Sequence, residues 1–375
     1  MDDDSRRFIL FLEEIPDPRY DRCKLHRLSH VIYMALFGWI CGAKDWIDVW
    51  DFCDFHKDFL KEELKLKNGI PSVSTFRRCF AHISTQMLQN LLVRQVSINN
   101  PDLSGKVIAI DGKSLRGSAS EAIGQRAFHA LNAFITDNHT VIRQIFGDCK
   151  DAELTMIPTL LDSLDVKGAT LTMDAMACQA SITEKIIDKK ADYLIGLKKN
   201  QPTAYADAVQ LFAMKDISCD SWEETDKGHG RLESRSYLSI NISKYNMGSF
   251  EKFAGIKSIT RVNSVVEKNG TQSQEYRYYI SSHKANARQI GGMIRAHWAI
   301  ENSLHYVLDV VFCEDDSTIR KKTLAANTAL IRKICLNVFN TQKNDKVKRK
   351  QRVMMQAVAD PHYANSLIAS IGLVR

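Results

Sequence analysis

The sequence predicts a mixed α/β fold in which helices flank a layered sheet. Apolar runs of strand length alternate with helical periodicity from residue 101 onwards, whereas residues 25–100 show helical periodicity alone. A third observation is the abundance of β-branched and aromatic residues at 216–284, which predicts additional strands. Hydrophobic residues make up 45% and charged residues 25% of the 375, which is typical of a globular protein.

The N-terminal region, residues 1–100, is expected to be a helical domain. A Gly/Pro break precedes Ser72 and Ser74, either of which is placed to cap the next helix. Two helices around such a turn fit a helix-turn-helix in which Arg77 and Arg78 face DNA. They fit a plain helical bundle as well, and the balance of 14 basic and 14 acidic residues favours the bundle.

The core of the protein is expected to comprise residues 101–215 and 285–342. It begins with a meander of three strands and continues with a helix, a strand that ends at Asp174, a second helix and a further strand. Residues 216–284 are expected to be a β-rich insertion, in which Asn269-Gly270 is a hairpin signal. The final segment, 343–375, is expected to be a basic C-terminal tail.

The excess positive charge lies near the C-terminus. Net charge is +7, and residues 317–375 alone hold 12 basic and 2 acidic residues. A concentrated basic segment attracts polyphosphate, because each neutralised phosphate releases condensed counterions. A solvated tail is the alternative interpretation.

The sequence shows neither a secretory segment nor a membrane-spanning segment, and this predicts the cellular compartment. The N-terminus carries no secretory pattern, and the longest apolar stretch, Val31–Ala43, is too short to span a bilayer. The nine cysteines form no CxxC pair and are expected to be reduced thiols. We therefore expect a cytoplasmic protein without membrane association.

Three carboxylates form the candidate active site. Asp111 ends one apolar run, Asp174 ends a second, and Glu301 lies in a helical stretch. Carboxylate oxygens suit hard cations such as Mg²⁺ or Mn²⁺, and two such ions about 4 Å apart can activate phosphodiester cleavage. We expect Asp111 to bridge the two ions and the other two carboxylates to hold one side each.

Two histidines accompany Glu301 on its helix. His297, Glu301 and His305 are four residues apart and share one face of an ideal helix. A zinc site is conceivable, but the spacing lacks the short ligand pairs that are typical of zinc. We expect the histidines to flank the carboxylate and to contact phosphate or substrate.

The order of these elements resembles the RNase H-like fold, with one Asp on the first strand, one after the fourth strand, and a Glu on a late helix. The residues themselves resemble the H-repeat-associated transposases of bacterial insertion sequences, which are of the DDE class. The resemblance extends over nearly the whole chain. The motifs that carry it are Ala109–Gly117, Thr172–Gln179, Ala191–Gln201, Gly228–Arg235, Arg295–Phe312 and Glu314–Arg320.

The resemblance implies a transposase that cuts element ends and joins them to target DNA, with Asp111, Asp174 and Glu301 as the catalytic, metal-binding triad. It implies double-stranded DNA as partner, a homodimer in the synaptic complex, and association with the nucleoid when DNA is bound. Related elements often carry Tyr, Arg and Lys around the Glu; here Ile294, His297 and Leu308 occupy those positions. A metal-dependent nuclease without strand transfer and an inactive DNA-binding relic remain alternatives.

The expected DNA contacts are basic residues within or near these motifs. Arg231 and Arg235 flank Glu233 at the mouth of the insertion, and the other candidates lie close to the three acids or just downstream of them. These other candidates are Lys113, Arg116, Lys198, Arg295, His297, His305, Arg320 and Lys321.

Overall fold

The protein, as a computed structural model, is described over residues 3–214, 216–228, 231–245, 247–268, 270–342 and 347–371. Its N-terminal region is helical, as expected. The helices of that region are α1 (Asp3–Glu13), α2 (Leu28–Ile40), α3 (Trp46–Phe55), α4 (Lys57–Leu64), α5 (Val73–His82) and α6 (Thr85–Asn99).

Side-chain caps fix where two of these helices begin. The Asp45 carboxylate accepts hydrogen bonds from the backbone N–H groups at the start of α3. The Ser72 hydroxyl accepts one from the N–H of Thr75, so Ser72 is confirmed as the cap of α5. Helix α2 is buried along nearly its whole length, which explains why its sequence is apolar on every face.

The core is one mixed sheet with helices on both faces. Its strand order is β3-β2-β1-β4-β5-β9-β8-β7-β6. β1 lies antiparallel to β2 and parallel to β4, and β4 lies parallel to β5, which is the RNase H-like arrangement. The first five strands and the helices among them are β1 (Val107–Leu115), β2 (Phe128–Ile135), β3 (Thr140–Gly147), α7 (Glu153–Asp162), β4 (Thr170–Met173), α8 (Ala180–Asp188), β5 (Asp192–Leu197) and α9 (Pro202–Leu211).

The four strands of the β-rich stretch continue this sheet. β9 pairs antiparallel with β5, and β8, β7 and β6 follow outwards as a meander. The Asn-Gly hairpin signal lies between β8 and β9; Asn269 is outside the described residues and Gly270 has φ +75°. The strands are β6 (Asp220–Gly228), β7 (Arg231–Asn241), β8 (Ser258–Lys268) and β9 (Thr271–Ser281).

Alternate residues of β1 face two different layers. Ile108 and Ile110 pack against α7 and α8, whereas Ala109 packs in the cluster that contains the N-terminal helices and α12 (Lys322–Thr341). Helix α10 (Ala287–His297) also lies on the Ala109 face, where it contacts β1, β4 and β5. A π-helical turn over Ile300–His305 connects α10 to α11 (Tyr306–Phe312). Asp111 has the parity of Ala109 and therefore points towards these two helices.

The segment expected to be a basic tail contains two helices, α13 (Val347–Ala359) and α14 (Pro361–Ala369). Ala357 and Leu367 are buried, and α14 contacts α1 and α2. Apolar residues at helical spacing within the basic stretch account for this packing. The remaining parts of the segment, 343–346 and 372–375, lie outside the described residues.

Two further expectations concern the membrane and the thiols. Among the described helices, none is both long enough and apolar enough to cross a bilayer. Eight cysteines are described as free thiols, which agrees with the expected reduced state, and five of them are buried. Burial raises the pKa of the Cys41 thiol to about 12, so that thiol is protonated at neutral pH.

Candidate active site

Asp111 lies within β1, and Asp174 directly follows the parallel strand β4 at the same level of the sheet. Ile110 of β1 pairs with Met173 of β4, so the next residue on each strand is an aspartate. β4 ends there, whereas β1 continues to Leu115 against β2. The register therefore places the two carboxylates side by side at the carboxyl end of β4.

Asp111 is unfavourably charged in this position. Burial, and next the negative charge of Asp174, raise the pKa of Asp111 to about 7. The positive charge of His297 and the N–H of Gly112 oppose this shift. Because its side chain is only 21% exposed, solvent screens the repulsion weakly, and the site favours either a proton or a cation.

One histidine lies against each aspartate. His297 Nε2 is 3.8 Å from Asp174 Oδ1, and its Nδ1 is 2.9 Å from the hydroxyl of Thr172. The neighbouring His297 ring lowers the pKa of Asp174, whose side chain is 71% exposed. His305 Nδ1 is 3.6 Å from Asp111 Oδ2. Each ring therefore touches a carboxylate.

His305 is neutral at physiological pH. Burial, and next the positive charges of Lys113 and Lys333, lower its pKa to about 3. Its Nε2 is buried without a hydrogen-bond partner among the described residues. The ring of His305 therefore adds no charge beside Asp111.

Glu301 lies in the π-helical turn between α10 and α11 and is exposed. It lines a cavity of about 560 Å³ together with Asp174 and His297. In the described part of the chain, its carboxylate makes no hydrogen bond or ion pair. The structure thus brings Asp111 and Asp174 together and places Glu301 on the wall that Asp174 also lines.

The donor set fits a hard divalent cation by its chemistry. All three groups supply carboxylate oxygens, and the raised pKa of Asp111 shows that positive charge is needed beside it. Within the described ranges, however, no three His, Cys, Asp or Glu side chains are already grouped closely enough to hold a metal ion. Glu301 would have to move towards the two aspartates to complete the site.

A buried ion pair supports β1 from the opposite face. His129 Nε2 is 2.7 Å from Glu153 Oε2, and His129 Nδ1 is 3.1 Å from the hydroxyl of Ser114. Both atoms of the pair occupy the space that a Cβ on Gly112 would require. The residue after Asp111 is therefore glycine because the histidine–glutamate pair fills the position of its side chain.

Lys113 is held below the surface, although we expected it to contact phosphate. Its side chain is 7% exposed, and Nζ lies 2.7 Å from Asp309 and 2.8 Å from Asp315. Nearby, Lys333 and Glu314 form an ion pair in which both side chains are fully buried. Lys113 therefore compensates buried acids and does not reach the surface.

Three guanidinium groups surround one tryptophan beside Glu301. Arg235, Arg277 and Arg295 lie 5.3, 5.4 and 5.6 Å from the centre of the Trp298 ring. Carboxylates on the neighbouring strands pair with all three; these are Glu224, Asp226, Glu233 and Glu275. Stacking on the indole and ion pairing both orient the guanidinium groups.

The three arginines differ in access to solvent. The Arg235 side chain is 2% exposed, so it does not reach DNA as placed, whereas those of Arg295 and Arg277 are 35% and 38% exposed. With Trp298 and Glu301, they line a second cavity of about 710 Å³. The two cavities share Arg277, Trp298 and Glu301 in their walls.

The remaining expected DNA contacts are on the surface or outside the description. Arg116 is 84% exposed, and Lys198 is exposed at the edge of the cavity that contains Asp174. Arg320 and Lys321 are exposed just before α12. The side chain of Arg231 lies outside the described part of the structure, as do His229 and Gly230.

Sequence reasoning identified neither Arg277 nor Trp298 as a residue of the site. Arg277 lies on β9, far along the chain from the acids, and is brought to the site by the pairing of β9 with β5. Glu275 and Arg277 share one face of β9 and line the cavity, and this charged pair within a strand is the signal. Trp298 lies one helical turn before Glu301, which would have marked it as a neighbour of the site.

Comparisons with known proteins identify the family to which this chain belongs. A family model described as "Transposase DDE domain" matches residues 102–338, and one described as "DDE_Tnp_1-associated" matches residues 9–95. In Escherichia coli K12, "Putative protein YbfL" is 36% identical and "H repeat-associated putative transposase YhhI" is 35% identical; each match covers 96% of this chain and 97% of the relative. "Putative transposase YncI" of Escherichia coli O157:H7 is 34% identical over 91% of this chain and 90% of its own.

The first family model covers more than half of the chain, and it covers β1, β4 and the π-helical turn that carry the three acids. The family is one of DNA-processing enzymes that generally use divalent metal ions. The chain belongs to the DDE transposase family.

Proposed function

We propose that this protein cuts the ends of an insertion element and joins them to target DNA by metal-dependent phosphodiester transfer. The main supporting observation is that Asp111 on β1 and Asp174 directly after β4 lie at the same level of adjacent parallel strands, with Glu301 on the wall that Asp174 lines. Burial and carboxylate repulsion leave Asp111 in need of positive charge. This requirement is what a site for two Mg²⁺ or Mn²⁺ ions would have.

Each carboxylate has a distinct role in the proposal. Asp111 would serve both ions, because it is the most buried of the three, and Asp174 and Glu301 would serve one each. The ions, when bound, neutralise the phosphate and lower the pKa of the attacking hydroxyl or water. His297 fixes the Asp174 side chain by bonding to Thr172 at its other nitrogen. Neutral His305 packs against Asp111 without competing for the cation site.

The DNA strand would pass along the two cavities that meet at Glu301. Lys198 and Lys199 line the first, and Arg277 and Arg295 line the second. We propose that phosphates take the place of Glu275 and Asp226 as partners of these guanidinium groups. Because carboxylate and phosphate are both bidentate acceptors for arginine, the orientation of each group is preserved in the exchange.

The test uses a plasmid that carries the DNA flanking the coding region as donor, and a second plasmid as target. With Mg²⁺, the wild-type protein is expected to release 3′-hydroxyl ends and to join them to the target. Asp111→Asn, Asp174→Asn and Glu301→Gln are expected to abolish both steps. Asp165→Asn, which changes an exposed turn, is the matched control and is expected to retain both.

Two results would oppose the proposal. Cleavage by the wild-type protein without joined products would identify a metal-dependent nuclease. Equal behaviour of the wild-type protein and all three triad variants would identify an inactive DNA-binding relic. The same reaction also tests the proposed homodimer. A complex that holds two element ends is expected to contain two protein chains.

A further inference from the structure

The N-terminal helical region carries a basic cleft of about 710 Å³ that no part of the proposed mechanism uses. Its walls are α1, the connection from α1 to α2, and the turn between α4 and α5. Five lysines and arginines line it, against one acidic residue, Glu13. The five are Arg6, Lys24, Arg27, Lys65 and Lys67.

Three of these cations have no carboxylate partner among the described residues. Lys24 pairs with Asp21 at 2.9 Å and Arg27 pairs with Glu13 at 3.0 Å. For Arg6, Lys65 and Lys67, no acidic side chain of the described residues lies within ion-pair distance. These three side chains are exposed to solvent. The cleft is therefore a site of uncompensated positive charge, and an anion bound there would meet cations on more than one wall.

The pKa values of the two histidines in the cleft are lowered by burial and by neighbouring positive charge. Burial, and next the positive charge of Arg27, lower the pKa of His30. Burial, and next the charge of Arg19, lower the pKa of His26. Both rings are half-buried and line the cleft without adding charge. The permanent cations therefore account for the positive potential of the cleft.

The walls of the cleft are joined by specific contacts. The amide of Asn68 donates a 2.7 Å hydrogen bond to the backbone carbonyl of Leu25, which ties the α4–α5 turn to the α1–α2 connection. The Arg27–Glu13 pair ties the start of α2 to the end of α1. These contacts connect the walls on which the cations lie.

Lys65 adopts a left-handed backbone conformation, with φ +49°, at the end of α4. Glycine is preferred at such a position because a Cβ is strained there. The chain turns at this residue, and both Lys65 and Lys67 line the cleft. Replacing Lys65 with glycine would therefore relieve backbone strain and remove one charge at the same time.

The balanced net charge of residues 1–100 does not reveal the local positive charge of this cleft. Helix α3 and its cap carry Asp45, Asp48, Asp51 and Asp54, and none of them lines the cleft. Four acidic residues of this helical region thus lie away from the cleft. A net charge of zero over the segment is compatible with a strong local positive potential.

We propose that this cleft binds the phosphate backbone of double-stranded DNA, independently of the triad. The inference rests on the proposed function in that DNA is the polyanion on which the protein acts. The cleft offers exposed lysines and an arginine that are unpaired among the described residues, and contacts of such side chains to phosphates carry no sequence information. The cleft would thus add affinity for DNA that does not depend on sequence.

The test measures binding of the full chain to a short mixed-sequence DNA duplex by fluorescence anisotropy, without divalent metal, over a series of salt concentrations. Lys67→Gln and Lys65→Gly are each expected to weaken binding several-fold and to reduce the slope of log affinity against log salt by about one. Lys65→Gly is also expected to unfold at the same temperature as the wild type or higher, which separates charge loss from misfolding. Lys57→Gln on α4 is the control, since Lys57 is exposed but does not line the cleft.

Wild-type affinity and slope in both cleft variants would overturn the proposal. An equal loss in Lys57→Gln, or a loss confined to Arg78→Gln on the exposed face of α5, would overturn it as well, because binding would then be located elsewhere. The outcome does not depend on the proposed reaction. Asp111→Asn is expected to bind the duplex normally while failing to cut, and a protein that never cuts can still show the loss at the cleft.

Discussion

Replacing Asp111 with asparagine is expected to stabilise the metal-free protein. The pKa of Asp111 is raised from its ordinary 3.8 to about 7, so the folded protein binds this proton more tightly than the unfolded chain does. The shift of roughly three units corresponds to about 4 kcal/mol of unfolding free energy once the pH exceeds 7. Asparagine is similar in shape and carries no charge, so it removes that penalty.

The sign of the pH dependence follows from the raised value. Stability from the bound proton is fully present below pH 3.8 and is lost as the pH rises to about 7. The advantage of Asp111→Asn should therefore be about 2.5 kcal/mol larger near pH 8 than near pH 5. Solvent around the partly exposed side chain will reduce both figures.

Chemical denaturation at the two pH values measures this difference directly. Asp165→Asn is the matched control and should show the same difference from wild type at both. Addition of Mg²⁺ should reverse the order, because the wild type alone gains a full binding site for the cation. An Asp111→Asn protein that is less stable than wild type near pH 8 without metal would refute the account of this site.

Three other substitutions test the surroundings of the triad. Gly112→Ala is expected to cost about 2 kcal/mol in urea unfolding, because its Cβ meets the buried histidine–glutamate pair; Gly248→Ala, in open space, is the control. Lys333→Met is expected to cost about 3 to 5 kcal/mol by leaving the fully buried Glu314 unpaired, and Glu314→Gln in the same protein should recover part of that loss. Arg277→Gln is expected to change stability by less than about 1 kcal/mol, since its ion pair is exposed, and to slow DNA cleavage measurably. A normal cleavage rate in Arg277→Gln would remove it from the proposed DNA path.

The sequence contains enough information to predict the pair Asp111 and Asp174. Both signals are local, since each acid follows an apolar run that is buried on both faces as a strand. Parallel strands present their carboxyl ends at the same level, so adjacency of the strands is sufficient to bring the acids together. Periodicity alone does not predict that these two strands are neighbours. That prediction came from the resemblance to a known family.

Other parts of the molecule depend on contacts that local patterns do not reveal. β6 is polar along most of its length because it is the edge strand, so hydrophobic alternation failed to identify it. The basic stretch of α13 was interpreted as a tail because charge concealed its apolar face. The position of the Lys113 side chain could not be predicted locally. Its ammonium group pairs with Asp309 and Asp315, which lie about two hundred residues further along the chain.

The π-helical turn explains why three residues that are four apart do not form one cluster. An ideal helix would stack His297, Glu301 and His305, but the wider turn over Ile300–His305 separates them. His297 reaches Asp174 and His305 reaches Asp111, so the helix touches each aspartate on either side of Glu301. We infer that the backbone is already in register with the two strands. In the metal site that we propose, the exposed Glu301 side chain would have to approach both aspartates, and no hydrogen bond or ion pair to another described residue restrains it.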